Sequence, residues 1–301
     1  VIQSVAIIGL GLLGGSIGLA IKANAPGIVT TGYDRDPETR AAAEKRGLVG
    51  TVCSNAGDAV AMADLVILCV PVGAMEAAAR DIAGALSDHA IISDVGSSKQ
   101  SVAEALAKAL PGRTIIPAHP VAGTEQSGPE AGFASLFTNR WCILTPADDA
   151  DPAALESLGE FWTRLGANVE IMDAEHHDLV LAVTSHIPHL IAFTIVGTAS
   201  DLEEVTRSEV IKYSAGGFRD FTRIAASDPV MWRDVFLSNK SAVLEMLGRF
   251  SEDLTAMQRA IRSGDGDALH ELFSRTRAIR RQVIQEGQDD DRPDFGRKDH
   301  S

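Results

Sequence analysis

The chain has 301 residues, 45% of them hydrophobic, and carries 41 acidic against 27 basic side chains for a formal net charge of −14. That length and apolar content can bury a large core and suggest about two domains, while the acidity argues against a nucleic-acid partner, which would show as a basic stripe; a few local arginines can still hold a small anion. Three scattered cysteines, Cys53, Cys69 and Cys142, form neither a disulfide framework nor a metal-ligand spacing and fit a reducing cytoplasm.

The first apolar run, Val5 to Leu10, breaks straight into glycines with no charged leader, so it does not read as a signal peptide. It reads as a strand. "SVAIIG", "IVTTGYD", "ADLVILCVP", "AIISDVGS", "RTIIPAHP" and "WCILTP" are short β-branched runs closed by Gly, Pro or Asp, and the Ala-rich stretches between them read as helices. Strand–helix alternation of this kind predicts a doubly wound parallel sheet over residues 1–172. From 173 to 285 the chain reads as helix after helix. Within it, "SHIPHLIAFTIVGTAS" is apolar on nearly every face, yet its run from Ile187 to Ala199 is too short to span a bilayer. A small helical domain can bury such a segment only at its centre or against a second copy, which predicts a homodimer. Residues 286–301 are polar and aperiodic and read as a tail.

The first strand runs into "GLGLLGGS", which sets Gly9, Gly11 and Gly14 in GxGxxG spacing with Leu12 and Leu13 opening the helix. The first glycine allows the tight turn, the second admits a pyrophosphate, and the third packs helix on strand. The helix N-terminus then supplies N–H donors to the phosphates. Asp34 ends the second strand, 20 residues past Gly14, where an acid accepts hydrogen bonds from a ribose. A Rossmann domain is therefore expected, and Asp34 favours NAD by repelling a 2′-phosphate. Arg35, beside it, keeps NADP open. Val70 and Pro71 of "CVP" are expected to line the cofactor trough, with Cys69 a core residue.

Two later strand ends are unusual. "DVGSSK" carries Ser97 and Ser98, and "IIPAHPVAGTEQSG" carries His119 between prolines. A histidine held there could take a hydroxyl proton as hydride leaves the same carbon, with Ser97 orienting it; the alternative is a capped loop with a solvated histidine. In the helical part His186 and His189 lie three apart on one face beside Pro188, and no third metal ligand stands at a supporting spacing. "GGFRDFTRIAASDPVMW" places Arg219 and Arg223 four apart. They are either a carboxylate clamp or surface partners of Asp220 and Asp228.

Taken together, "GLGLLGGS", "DVGSSK", "HPVAGTEQSG", "TSHIPH" and "GGFRDFTRIAASDPVMW" resemble the prephenate/arogenate (cyclohexadienyl) dehydrogenase family over about residues 4–285. The resemblance implies a Rossmann domain followed by an all-helical dimerisation domain. It also implies oxidative decarboxylation of a cyclohexadienol, with hydride passing to NAD(P)+ in tyrosine biosynthesis. It makes His119 the base and Ser97 its orienting serine. His189 becomes a pocket histidine and Arg223 the carboxylate-binding arginine, with Glu125 and Trp232 near the substrate mouth and His186 and Arg219 as further contacts. No metal is implied. If the imidazole is unperturbed, activity should fall as pH drops through about 6.5. A β-hydroxyacid-type dehydrogenase and a non-catalytic NAD-binding module are the alternatives. The first would need a helical-domain lysine in its own pattern, which Lys212 and Lys240 do not supply.

Overall fold

The computed structural model describes residues 2–285 apart from 125, 202–208, 210, 211, 214 and 215. Its first half is a six-stranded, all-parallel sheet in the order β3-β2-β1-β4-β5-β6. The strands are β1 (Ser4–Ile8), β2 (Val29–Tyr33), β3 (Thr51–Val52), β4 (Leu65–Leu68), β5 (Ile91–Asp94) and β6 (Thr114–Ile115). Helices α1 (Leu12–Asn24), α2 (Pro37–Arg46), α3 (Ala56–Val60), α4 (Met75–Ile82) and α5 (Gln100–Ala109) connect them. Alternate residues of one strand feed opposite cores, as the pleat requires: Val5, Ile7, Leu65 and Ile67 pack with α1, while Ala6, Ile8, Val66 and Leu68 pack with α4 and α5. The strand order reverses between β1 and β4, so a ligand crevice opens at their carboxyl ends.

The run "RTIIPAHP", expected as one strand of this sheet, divides. Strand β6 ends at Ile115, the Ile116 N–H still reaches the Ile92 carbonyl at 2.9 Å, and past Pro117, whose carbonyl accepts the Thr145 N–H at 2.9 Å, β7 (Ala118–Pro120) leaves the parallel sheet. It pairs antiparallel with β8 (Trp141–Leu144), which pairs parallel with β9 (Asn168–Ile171) across α6 (Pro152–Arg164). His119 therefore stands on a separate three-stranded sheet, with Ala118 tied back to the end of β5 through its N–H to Asp94 Oδ1, 3.2 Å.

The helical part opens with α7 (Ala174–Leu181), a π turn at Ala182–His186 and α8 (Ile187–Ser200). These run on as one 27-residue helix, Ala174–Ser200, long and apolar enough by length and composition to cross a membrane. The expectation of too short a run is thus corrected. It had counted from Ile187, whereas Pro188 sits in the first turn of α8, where it costs no hydrogen bond that the π turn has not already displaced. Next come α9 (Gly216–Thr222), a 3-10 turn at Arg223–Ala226 and α10 (Pro229–Ser238). Last are α11 (Lys240–Ser263) and α12 (Gly266–Gln285).

By contacts the chain forms two compact units, Val1–Leu244 and Glu245–Ser301. The helices from α7 to α10 pack with the sheets in the first unit. Asp178 of α7 accepts the backbone N–H groups of Lys99 and Gln100, at 2.7 and 3.1 Å, and α10 packs on the turn Val72–Ala74. The stretch 286–301 lies outside the described residues.

Candidate active site

The cradle at the end of β1 has the shape a dinucleotide needs. Gly9 adopts φ +101°, and a Cβ there would stand 2.5 Å from the Cys69 carbonyl oxygen. A Cβ on Gly14 would stand 1.9 Å from the Gly9 carbonyl oxygen, whereas around Gly11 nothing lies within 4 Å. Two glycines are thus demanded by packing and the third by whatever enters the open side. The α1 N-terminus fits an incoming anion, because no side chain caps it and its first turn carries no acid. Asp34 follows β2, and its Oδ2 accepts the Leu10 N–H at 2.9 Å, which fixes the carboxylate beside the cradle. Arg35 is exposed. The sequence reading missed Arg40, whose guanidinium donates to the Asp34 and Arg35 carbonyls at 2.7 and 3.1 Å and lies 5.6 Å from the Tyr33 ring centroid. Val70 and Pro71 stand past the end of β4, beside the glycine turn. Burial raises the Cys69 thiol, so it is a packing residue.

His119 is buried, with 7% of its surface exposed. Its Nδ1 lies 2.8 Å from His177 Nε2, and His177 Nδ1 lies 2.8 Å from Asp178 Oδ1. Beneath it, Lys99 is fully buried and its Nζ donates to Asp94 Oδ2 at 2.5 Å and to the Ala118 carbonyl at 2.8 Å. That contact explains the "DVGSSK" stretch: it clamps β5 to the residue before His119. Burial, with the charges of His177, Lys99 and His186, holds the His119 imidazole well below its ordinary value of 6.5. Ser97 is half-buried, and among the described residues no hydrogen bond joins its hydroxyl to His119; the imidazole's partner is His177. Ser98 is buried, with its hydroxyl 3.4 Å from that of Ser101. At its far end the His119 loop is tied to the nucleotide-binding half, where Phe133 N–H donates to Ser16 Oγ of α1 at 3.0 Å and Arg46 donates to the Gly132 carbonyl at 3.0 Å.

The π turn widens the helix where His186 and His189 emerge. Asn239 Nδ2 donates to the Asp178 carbonyl at 2.7 Å and to His186 Nδ1 at 3.1 Å, so the neutral His186 carries its proton on Nε2. Burial holds this histidine down at about 4, against the raising effect of Asp178 and of the Ser97 carbonyl beside the ring. His189 donates Nδ1–H to the Ser185 carbonyl at 2.8 Å and is lowered by burial and, less, by the Arg223 charge. It stacks on Trp232. His186 Nε2 and Trp232 Nε1 are buried donors that no described residue engages in good hydrogen-bond geometry.

Arg219 goes elsewhere. Helix α9 ends at Thr222 and Arg223 begins a 3-10 turn, so the one-turn alignment expected of the two arginines is lost. Arg219 instead lies 75% exposed against Asp220, 3.8 Å away. Glu125 lies outside the described residues. Among the described residues no group of three or more His, Cys, Asp or Glu could hold a metal ion. The sequence reading passed over His177 and Asp178; the signal was there as an adjacent His–Asp pair in "AEHHD", read only as the end of the strands.

A Rossmann sheet with its glycine cradle, and a buried imidazole on the adjoining three-stranded sheet, tied through Ala118 and Lys99 to the carboxyl end of β5, define a nicotinamide-nucleotide-dependent dehydrogenase. The comparisons narrow the class: residues 17–171 match the prephenate dehydrogenase nucleotide-binding domain and residues 173–275 the prephenate dehydrogenase dimerization domain. The chain belongs to the prephenate dehydrogenase family. It is 45% identical to the cyclohexadienyl dehydrogenase of Zymomonas mobilis over 280 residues, covering 93% of this chain and 96% of that one. Its fold is similar to prephenate dehydrogenase from Aquifex aeolicus, solved with hydroxyphenyl propionate and NAD+, with a TM-score of 0.87, 33% identity and coverage of 93% and 98%. Synechocystis arogenate dehydrogenase follows with a TM-score of 0.79, 25% identity and coverage of 93% and 99%. The family assignment sets aside the β-hydroxyacid and non-catalytic alternatives: this is a dehydrogenase.

Proposed function

We propose that the chain catalyses oxidative decarboxylation of prephenate, arogenate or both, yielding 4-hydroxyphenylpyruvate or tyrosine in tyrosine biosynthesis. The observation that carries this is the contact of His119 Nδ1 with His177 Nε2, backed in turn by Asp178, from which the tautomer of His119 follows. His177 must donate its Nδ1–H to the Asp178 carboxylate, so its Nε2 accepts, and His119 must therefore donate Nδ1–H and keep a lone pair on Nε2. A neutral buried imidazole with one free lone pair is a base ready for a ring hydroxyl.

NAD+ held by Gly9, Gly11, Gly14 and Asp34, with Val70 and Pro71 along the trough, supplies the two-electron oxidant that takes the ring hydride. The chain's own work is orientation and proton handling. His119 Nε2 takes the hydroxyl proton. When CO2 leaves, its bonding pair flows through the ring to that oxygen, which recovers the proton as the ring becomes a phenol. Aromatisation drives this loss, so no metal electron sink is needed. Arg223, His189, His186 and Trp232 hold the substrate's oxygen-bearing ends, and Ser97 orients the reacting hydroxyl.

A homodimer belongs to the same reading. Leu179, Val183, Ile195 and Val196 of the long helix are exposed in the first unit, and Leu254, Ile261, Phe273 and Ile279 in the second. Apolar faces of this kind are covered by a second copy, and the matched dimerization-domain model supports that. Against a membrane role for the long helix stands the docking of its first half through His177 and Asp178; a cytoplasmic enzyme with three free thiols fits. The test is a grid of initial rates with prephenate and arogenate, each with NAD+ and NADP+. Turnover of either substrate is expected, and none in all four combinations overturns the assignment.

A further inference from the structure

We propose that His177 and Asp178 are positioning residues for the reaction: a buried carboxylate–imidazole–imidazole relay that fixes the tautomer and ring direction of His119 and shares the charge it gains. The inference rests on His119 being the base.

The geometry is that of a hydrogen-bonded chain and not of stacked rings. The His119 and His177 centroids lie 5.1 Å apart with planes at 70°, and the nitrogen-to-nitrogen distance is 2.8 Å. Asp178 ends the chain in a fixed state, since its two oxygens also accept the N–H groups of Lys99 and Gln100 at the start of α5. Free rotation is closed to it. His177 is buried completely and Asp178 nearly so, and such a pair is costly to maintain unless each polar atom is engaged. The charged and titratable groups facing the relay are Lys99, Asp94 and His186. Lys99 opposes protonation of both imidazoles, Asp94 and Asp178 favour it at His177, and His186 opposes it at His119.

The chemical need is specific. When His119 Nε2 takes the hydroxyl proton, an imidazolium forms inside the protein, where an uncompensated cation is strongly disfavoured. Its Nδ1–H then strengthens toward His177, whose own Nδ1–H strengthens toward Asp178. No proton needs to leave the relay, because the ring oxygen recovers its proton when the phenol forms. A purely structural role, with Asp178 capping α5 and His177 filling space, would cost stability without touching the tautomer or the rate of the chemical step.

The test combines nitrogen-15 histidine shifts with kinetics. In the wild-type protein the neutral His119 should show Nδ1 protonated and Nε2 free; an Nε2–H tautomer overturns the relay. His177→Phe removes the acceptor and should lower kcat by about 10²-fold, with KM for NAD+ and substrate within about threefold. His177→Gln keeps a side-chain oxygen for Nδ1–H and should recover about tenfold of that loss. A His177→Phe enzyme with kcat within threefold of wild type overturns the relay, as does equal loss in both variants with His119 unchanged in tautomer. Should His177→Phe not fold, the wild-type tautomer and the His177→Gln rate still decide. If the wild-type protein turns over neither prephenate nor arogenate, the functional assignment falls, while the tautomer still reports on the relay by itself.

Discussion

Trp232 lies flat on His189, with ring centroids 3.7 Å apart and planes 24° apart, while His186 meets the same indole edge-on at 6.0 Å. This one residue joins α10 to the histidine-bearing helix. Its helix is held close to the cofactor side because Gly73, in the turn after "CVP", has no Cβ: one there would stand 2.8 Å from Asp234 Oδ2. Trp232→Ala should raise substrate KM by about tenfold with a smaller change in kcat, and should destabilise the fold by about 3 kcal/mol. Trp232→Phe keeps a ring face but loses the Nε1 donor, and should fall between. Steady-state kinetics and denaturant unfolding read both; an unchanged KM in Trp232→Ala removes the residue from the pocket.

The glycines of the cradle should separate by cause. Gly11→Ala leaves the fold intact, since nothing lies within 4 Å of its Cβ position. Its loss should appear in NAD+ affinity, by about tenfold or more, because the methyl occupies the pyrophosphate approach. Gly14→Ala collides with the Gly9 carbonyl and should lower Tm before any question of cofactor arises. Thermal unfolding and NAD+ titration of the two proteins would show opposite patterns, and similar patterns would contradict this account.

Cofactor choice should turn on Asp34. Its carboxylate is pinned by the Leu10 N–H, and the Arg40 guanidinium lies one residue away on the Asp34 and Arg35 carbonyls. Replacing Asp34 with Ser removes the repulsion toward a 2′-phosphate and leaves Arg35 and Arg40 to attract it. The ratio of kcat/KM for NADP+ over NAD+ should rise by about tenfold or more. An unchanged ratio would mean that the carboxylate does not face the adenosine ribose.

The cradle was legible because GxGxxG spacing is a statement about local backbone, and Asp34 follows at a fixed distance within one βαβ unit. The relay was not legible in that way. His119 and His177 stand 58 positions apart, and they meet only because β7 leaves the parallel sheet to pair with β8 and a buried lysine clamps it to the end of β5. No periodicity encodes such a meeting, although the adjacent His177 and Asp178 were a visible hint. The pairing of Arg219 with Arg223 was less legible for a local reason: the four-residue spacing implies a shared face only while the α-helix lasts, and it ends at Thr222. The length of the long apolar helix was not legible, because a π turn hides in sequence where Pro188 suggests a break.

Lys99 and Asp94 test how much stability the clamp carries. Both are fully buried, paired at 2.5 Å. Lys99→Met strands Asp94 and releases the Ala118 carbonyl, and should cost about 3–5 kcal/mol. Asp94→Asn in the same background should recover part of it by removing the stranded charge. A double variant no more stable than Lys99→Met would show that the lysine matters through its length and packing and not through the ion pair.

The pH dependence follows from four histidines held below their ordinary value mainly by burial: His119, His177, His186 and His189. In the unfolded chain each binds a proton below about 6.5; in the folded protein each does so only at lower pH, about 4 for His186. Stability from this source is therefore complete above about 6.5 and is lost as pH falls from there toward the folded-state values. Each histidine contributes up to about 1.4 kcal/mol per pH unit within its window. Carboxylates lowered in the folded protein, such as Asp64 with its bonds from Gln3 and Ser4, titrate in a more acid window. Tm should begin to fall just below pH 6.5, ahead of them, and a Tm flat down to about pH 5 would mean that the native state accepts these protons. Activity should behave differently from the sequence expectation of an inflection near 6.5. With His119 held well below that value, kcat/KM should stay level through 6.5, and its acid limb should lie lower, alongside the loss of stability.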